Sequence, residues 1–424
     1  MKIKNNEFLK SVMVLTSGTV IAQIISYLIT PLLTRIYSTE EMGDLGVYMR
    51  AVGFISALAT ARYELSLPLP KNDKHSFILY RLSLKIASYI LLACAFIGII
   101  YILARPFSWD EVIFVSITLL SSVFLIMINL GTNWSIRMKQ FNKISYSKIS
   151  NSLSSNLLRW IFGWFGWGSF GLLFATLIGF FLSSLSFVKE LLQLSKGHGS
   201  ISKKKMYVLG REYRQFPFVS LPHTLIDLGR DLLVATLIIS FFSKDIFGSF
   251  NHSYTILRLP LMVIGASIGQ VFFNRCSVMI NEGKEIYPLL RKTMIILFAL
   301  SIIPFGMIFF IGEPLFAFVF GSEWGVSGYY SEIMSIWLMF NFLISPVSNI
   351  PIILNRQKEY FILGLVGTAM QLFCFGVMPL IIGTTSQDFI TILWAVSFSQ
   401  SAYLVFGVFY ALYISKKGRK KLVT

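Results

Sequence analysis

The chain has 424 residues, of which 55% are hydrophobic and only 13% charged, yet its formal net charge is +17. An ordinary soluble domain carries about 25% charged residues, and repeated apolar runs of about 20 residues, long enough to cross about 30 Å of hydrocarbon, cannot be hidden in a soluble core. The composition excludes a cytosolic enzyme, a secreted domain and a DNA-binding protein, and the basic excess reads as loops facing anionic lipid.

Twelve apolar segments follow in chain order, at about 11–33, 45–67, 84–104, 112–132, 149–164, 170–188, 221–241, 250–273, 292–312, 329–353, 361–383 and 389–414. In lipid these must be helices, because an open strand would leave its backbone unpaired. The basic start, Met1 to Lys10, resembles the n-region of a signal peptide. The apolar run behind it reaches Leu33, too long for a signal-peptide core, and no A-x-A-like cleavage site follows. An uncleaved first membrane helix is expected. The fifth segment is the most polar, holding Ser150, Asn151, Ser152, Ser154, Ser155, Asn156 and Arg159.

Sorting the charges over alternate loops gives 29 Lys/Arg on the side of the N-terminus, three on the other side (Arg35, Arg105 and Lys244) and five inside helices. The acidic residues run the other way, with 7 on the N-terminal side, 10 opposite and 3 within helices. By the positive-inside rule both termini are expected in the cytoplasm. The basic tail Lys416–Lys421 then needs no nucleic acid to explain it. Cys94, Cys276 and Cys374 lie far apart, without metal-ligand spacing, and His75, His198, His223 and His252 do not cluster. Neither a disulfide framework, a metal nor a cofactor is called for.

A short motif recurs. Ser38-Thr-Glu-Glu-Met-Gly43 and Ser243-Lys-Asp-Ile-Phe-Gly248 both read Ser-x-acid-x-apolar-Gly and lie 205 residues apart. Six helix-plus-loop units fit that offset, so a duplication is expected. The predicted fold is an all-α membrane protein with about twelve transmembrane helices in two six-helix bundles around a central cavity. Its divisions are 1–195, a basic cytoplasmic linker at 196–220, and 221–424. Paired bundles of this kind open a central site alternately to each side.

Ionisable groups inside a membrane are costly and face a cavity or a partner. Arg159, Arg230, Asp231 and Arg258 fall about 12–15 Å from the nearer ends of their segments, with Asp227 closer to the cytoplasm and Arg50 about 8 Å from the outer end. Asp227, Arg230 and Asp231, spaced i, i+3 and i+4, share one helix face. They read either as a self-neutralising cluster or as a cavity wall. The five arginines and three carboxylates within the segments leave a net +2, which suits an anionic head group that arginine can grip bidentately. Arg50, Arg159, Arg230 and Arg258 are therefore candidate substrate contacts, and Asp227 and Asp231 candidate coupling groups. Arg62 and Glu64 read as an interfacial pair. Pro31, Pro260, Pro304, Pro346 and Pro351 mark expected helix breaks. Gly265-Ala-Ser-Ile-Gly269 reads as close helix packing. Trp109, Trp160, Trp164, Trp167 and Trp324 read as interfacial anchors.

The stretch from Pro31 to Gly43, then Ala59-Thr-Ala-Arg-Tyr-Glu-Leu65 and Leu67-Pro-Leu-Pro70, resembles the bacterial polysaccharide flippases. These are Wzx-type lipid-linked oligosaccharide translocases of the multidrug/oligosaccharidyl-lipid/polysaccharide exporter superfamily. Phe216-Pro217, Leu221-Pro222, Arg258-Leu-Pro260 and the stretch from Ile264 to Arg275 look like that family's helix 7–8 region. The resemblance implies a flippase, not an enzyme, for an undecaprenyl-diphosphate-linked oligosaccharide such as an O-antigen unit, in a bacterial inner membrane. The partners implied are that lipid-linked oligosaccharide, membrane lipids, a polysaccharide polymerase and a chain-length regulator. The six site residues rest on burial reasoning and not on a family motif. The alternatives are a multidrug exporter of the same superfamily and a membrane polysaccharide polymerase. A polymerase needs an acid/base set near an interface, and the longest hydrophilic stretch, about 189–215, holds none at useful spacing.

Overall fold

The alternation of long apolar runs with basic loops becomes an all-helical chain in the computed structural model, which describes residues 5–197, 202–259, 261, 266–282, 284–347, 350–354 and 356–417. The helices in chain order are α1 (Asn5–Leu33), α2 (Thr39–Ala59), α3 (Asp73–Leu103), α4 (Trp109–Arg137), α5 (Phe141–Trp164), α6 (Gly168–Gly197), α7 (Lys203–Glu212) and α8 (Leu221–Phe241). They continue as α9 (Lys244–Leu257), α10 (Ala266–Asn281), α11 (Tyr287–Phe320), α12 (Gly325–Ile344), α13 (Ile350–Ile353), α14 (Gln357–Gly376), α15 (Met378–Ile382) and α16 (Ser386–Lys417). No strand occurs among the described residues. Six helices are long and apolar enough to cross a membrane: α3, α4, α6, α11, α14 continued into α15, and α16. The chain is a multi-pass membrane protein. The remaining expected segments are helical too, but shorter or more polar.

The chain forms two units. One comprises residues 1–37 and 44–232, the other 38–43 and 233–424.

In the first unit α5 packs between α1 and α6, and α4 packs on α6 and α3. At the basic end Phe77, Leu79 and Tyr80 of α3 meet Leu130 and Trp134 of α4 in a buried cluster that also takes Leu209 of α7. The second segment was expected to run to 67, but α2 stops at Ala59. Ala61 and Arg62 then adopt left-handed backbone, φ 46° and 60°, which costs a side-chain-bearing residue roughly 1–2 kcal/mol. Bonds on every side hold that turn. The Tyr63 hydroxyl donates to the Gly210 carbonyl at 2.9 Å, Ser76 Oγ donates to the Leu67 carbonyl at 2.7 Å, and Arg137 reaches the Pro70 carbonyl at 2.6 Å and Asp73 at 2.7 Å. Arg62 and Glu64 do pair, at 3.2 Å, and Glu64 is 1% exposed.

In the second unit α12 packs on α11, α9 and α16, and α14 on α16. The core is aromatic. Phe250 of α9 meets Phe375 of α14 with centroids 5.6 Å apart, and Tyr330 of α12 meets Phe389 of α16 at 5.1 Å. Trp324 is no interfacial anchor: it is 0% exposed and lies 4.5 Å from the ring of His252. Trp109, Trp160, Trp164 and Trp167 are exposed.

Of the expected helix breaks, one falls in the segment that holds Pro260, and those at Pro31 and Pro304 do not occur. The single segment 250–273 is two helices, α9 and α10, with Arg258 capping the first; Pro260 and Gly265 lie outside the described residues, as does the tail beyond Lys417. In α11 the helix runs through Pro304, and the non-helical residue is Ile311, φ −137°. It lies three residues before Pro314, which has no N–H for the preceding turn and crowds it. Glu332 of α12 accepts the amide of Glu313 there, at 2.9 Å. Pro31 sits two residues from the end of α1 without breaking it.

The two copies of the repeated motif touch inside the second unit. In each the serine caps a helix: Ser38 Oγ accepts from the Glu41 amide and Ser243 Oγ from the Ile246 amide. Thr39 Oγ1 donates to Asp245 Oδ1 at 2.6 Å, and Lys244 Nζ lies 4.0 Å from Glu40 Oε1. The backbones approach so closely that a Cβ on Gly43 would sit 2.8 Å from the Lys244 carbonyl oxygen, and one on Gly248 1.8 Å from that of Thr39. Only glycine fits at either position.

Candidate functional site

The polar face of α5 decides how the first unit is built. Serine and asparagine are poor helix formers because their side chains compete for backbone groups, yet α5 is an unbroken 24-residue helix. Its polar groups are taken up by its neighbours. Ser152 Oγ donates to the Ala22 carbonyl at 2.6 Å and pairs with Ser26 at 2.9 Å. Asn156 donates to Ser26 Oγ at 3.0 Å, and Ser147 pairs with Ser183 at 2.6 Å. Small hydroxyl residues let helices approach and bond across the contact. These bonds tie the polar face of α5 to α1 and α6.

One charge remains in it. Arg159 donates through Nη2 to Thr176 Oγ1 at 2.7 Å and through Nη1 to Asn156 Oδ1 at 3.3 Å. Its own carbonyl accepts from the Tyr37 hydroxyl at 2.6 Å. Its Nε is shut off from solvent and has no hydrogen-bond partner among the described residues. No carboxylate there pairs with it, so a guanidinium stands in the bundle bonded only to neutral oxygens. Such a group draws an anion, and its fixed fork of donors suits a phosphate or carboxylate.

The charges on α8 are arranged otherwise. Arg230 turns both Nε and Nη2 onto Asp231 Oδ1, at 3.1 and 2.9 Å. Asp227 is not drawn into that pair. It lies 3.5 Å from His223 Nδ1 one turn earlier and is half exposed. His223 stands apart from the other histidines, but its i, i+4 spacing puts it beside Asp227 on the same helix face. Arg50 bends back onto its own helix and donates to the Gly46 carbonyl at 3.0 Å. Arg258, in the second unit, lies with its guanidinium carbon 5.0 Å from the Tyr254 ring centroid and donates to that phenol oxygen at 3.3 Å. Arg50, Arg159, Arg230, Asp227 and Asp231 all belong to the first unit. Among the described residues no three His, Cys, Asp or Glu gather as a metal site, and the three cysteines are free.

Residues 32–328 match a family described as polysaccharide biosynthesis protein. Among solved structures the chain is similar to the lipid II flippase MurJ in an inward closed conformation, with 16% identity, 95% of this chain and 89% of that one covered, and a TM-score of 0.71. It is also similar to an inward-facing multidrug resistance transporter of the MATE family in the MOP superfamily, with 13% identity, 94% and 96% covered, and a TM-score of 0.70. No curated protein matches. At these identities the likeness is one of fold, the helical fold of MOP-superfamily transporters and flippases.

Proposed function

This chain belongs to the polysaccharide biosynthesis protein family, and from that premise we propose that it is a flippase for an undecaprenyl-diphosphate-linked oligosaccharide repeat unit, an O-antigen unit or a similar surface polysaccharide. It moves that unit from the cytoplasmic to the outer leaflet of a bacterial inner membrane by alternating access between two six-helix halves, with both termini cytoplasmic, and it is not an enzyme. A polymerase and a chain-length regulator take the product onward. The observation that carries this reading is Arg159, an arginine without a carboxylate partner within a helix bundle. Arg50, Arg230 and Arg258 supply further contacts to phosphate or acidic sugar. Asp227, beside His223, is the better placed of the two coupling aspartates, since Asp231 is held by Arg230.

A multidrug exporter shares the fold. A cationic drug calls for a carboxylate free of arginine; Asp231 is engaged by Arg230, while Asp227 lies beside His223, so export of a cationic dye by the purified protein would favour this second reading. Deleting the gene separates the readings. A strain without the flippase accumulates complete lipid-linked units on the cytoplasmic leaflet, whereas loss of a polymerase still leaves single units outside. Orientation is read separately: a cysteine at Lys204 is shielded from a membrane-impermeant thiol reagent in intact cells, and labelling from outside would invert the topology.

A further inference from the structure

We propose that α7 is a membrane-surface helix whose outer stripe binds the headgroups of anionic phospholipids. The inner face of this helix is already occupied. Met206, Leu209 and Tyr213 pack into the apolar cluster of α3 and α4, and the Gly210 carbonyl takes the Tyr63 hydroxyl. The opposite stripe holds Lys204, Tyr207, Val208 and Arg211, spaced i, i+3, i+4 and i+7. Tyr207 is 71% and Val208 56% exposed, and they lie between two exposed cations. Lys203, Lys205 and Arg214 add to the basic side against the single carboxylate of Glu212. Phe218 and Val219, in the next turns, are exposed as well.

The height of α7 along α3 points to the same partner. Phe77, Ile78, Leu79, Tyr80 and Ser83 are buried in protein, Lys85 is exposed, and from Tyr89 onward Leu92 and Phe96 are laid bare. The lipid-facing part of α3 thus begins near Tyr89. Helix α7 rests on Leu82, whose Cδ2 would meet a Cβ on Gly210 at 3.1 Å. Leu82 precedes Tyr89 by seven residues, about 10 Å of helix. The headgroup layer on each side of the hydrocarbon is about 5–8 Å deep. That places the backbone of α7 a few Å beyond the headgroup layer, within reach of the phosphates for extended lysine and arginine side chains. Water alone leaves Tyr207 and Phe218 solvated, and a zwitterionic surface gives the cations no countercharge. An anionic surface takes up both.

The test uses the full chain in nanodiscs, with a nitroxide label on Val208→Cys and the unsubstituted protein as blank for the three native cysteines. In bilayers of phosphatidylcholine with phosphatidylglycerol, the label is expected to collide with oxygen and be shielded from a water-soluble nickel chelate. In pure phosphatidylcholine, or with Lys204→Gln and Arg211→Gln together, that shielding should fall on the order of tenfold, since each cation near an anionic surface is worth about fivefold in binding. Equal chelate access in both bilayers overturns the proposal. So does shielding already present in detergent without lipid, which would mean that protein covers the stripe. Shielding that requires an added polyprenyl-diphosphate lipid also overturns it, and would assign the stripe to that lipid instead.

Discussion

The interiors of the two units differ in the balance of their chemistry. In the first, α5 meets α1 and α6 through hydroxyls and amides, Ser147, Ser152 and Asn156, and it carries Arg159 among them. In the second, α9, α12, α14 and α16 meet through the rings of Phe250, Tyr330, Phe375 and Phe389, with single interhelical hydrogen bonds from Ser253, Ser397 and Gln400 to backbone carbonyls beside them. A hydroxyl seam has spare acceptors and can solvate a cation. A ring cluster has few to offer, and the candidate site arginine of the second unit, Arg258, lies at a helix end against a phenol. Anion handling is therefore expected to fall unequally on the two units.

Arg159→Ala tests this most directly. It should abolish surface polysaccharide while the protein stays in the membrane at normal level, measured by surface staining and immunoblot. Arg159→Lys should not restore export, because one ammonium cannot reproduce the planar fork that reaches Thr176 and Asn156 together. Arg258→Ala should reduce export only in part; equal loss in the two alanine variants would break the asymmetry. Stability sharpens the contrast from the other side. Phe389→Ala removes a ring from a packed cluster and should cost about 3–5 kcal/mol, read as a lowered midpoint of thermal unfolding in detergent. Ser152→Ala removes two interhelical hydrogen bonds, each worth about 0.6 kcal/mol in membrane helices. The smallest effect lies at the edge of the second unit. Tyr410 and Arg356 both bond Glu359 and hold its carboxyl below the usual range. A carboxyl lowered on folding adds stability above its unfolded value, about 4.3, and loses it as pH falls through the folded value. Glu359→Gln should accordingly differ from the parent above about pH 4.3 and converge with it in stronger acid.

Much of the helical layout could be read before any coordinate, because apolar length and proline placement are local properties. The polar α5 was placed within the helix order even though its composition argued against it. Local pattern could not show which breaker acts. Pro304 is absorbed, while Pro314 bends the chain at Ile311, where Glu332 of another helix takes a freed amide. Burial was likewise out of reach: Trp324 and Glu64 look like surface residues until α11, His252 and the turn at Arg62 close around them. On α8 the helical wheel put three charges on one face, but geometry let Arg230 close on its sequence neighbour and left Asp227 to His223.

The contact between Gly43 and Gly248 has a consequence for how the chain can be cut. Adding 205 to either residue of the Thr39–Asp245 bond, or subtracting it, gives the Lys244–Glu40 pair, so the contact is isologous, the kind made by two copies of one subunit. Here a single polypeptide supplies both copies, and the second unit takes residues 38–43 from far earlier in the chain. A fragment beginning at 233 lacks that strap and leaves its own copy of the motif bare. Two such fragments then carry what a dimer contact needs. Co-expressing residues 1–232 should supply the missing strap and displace the dimer, whereas Gly248→Ala should prevent both associations.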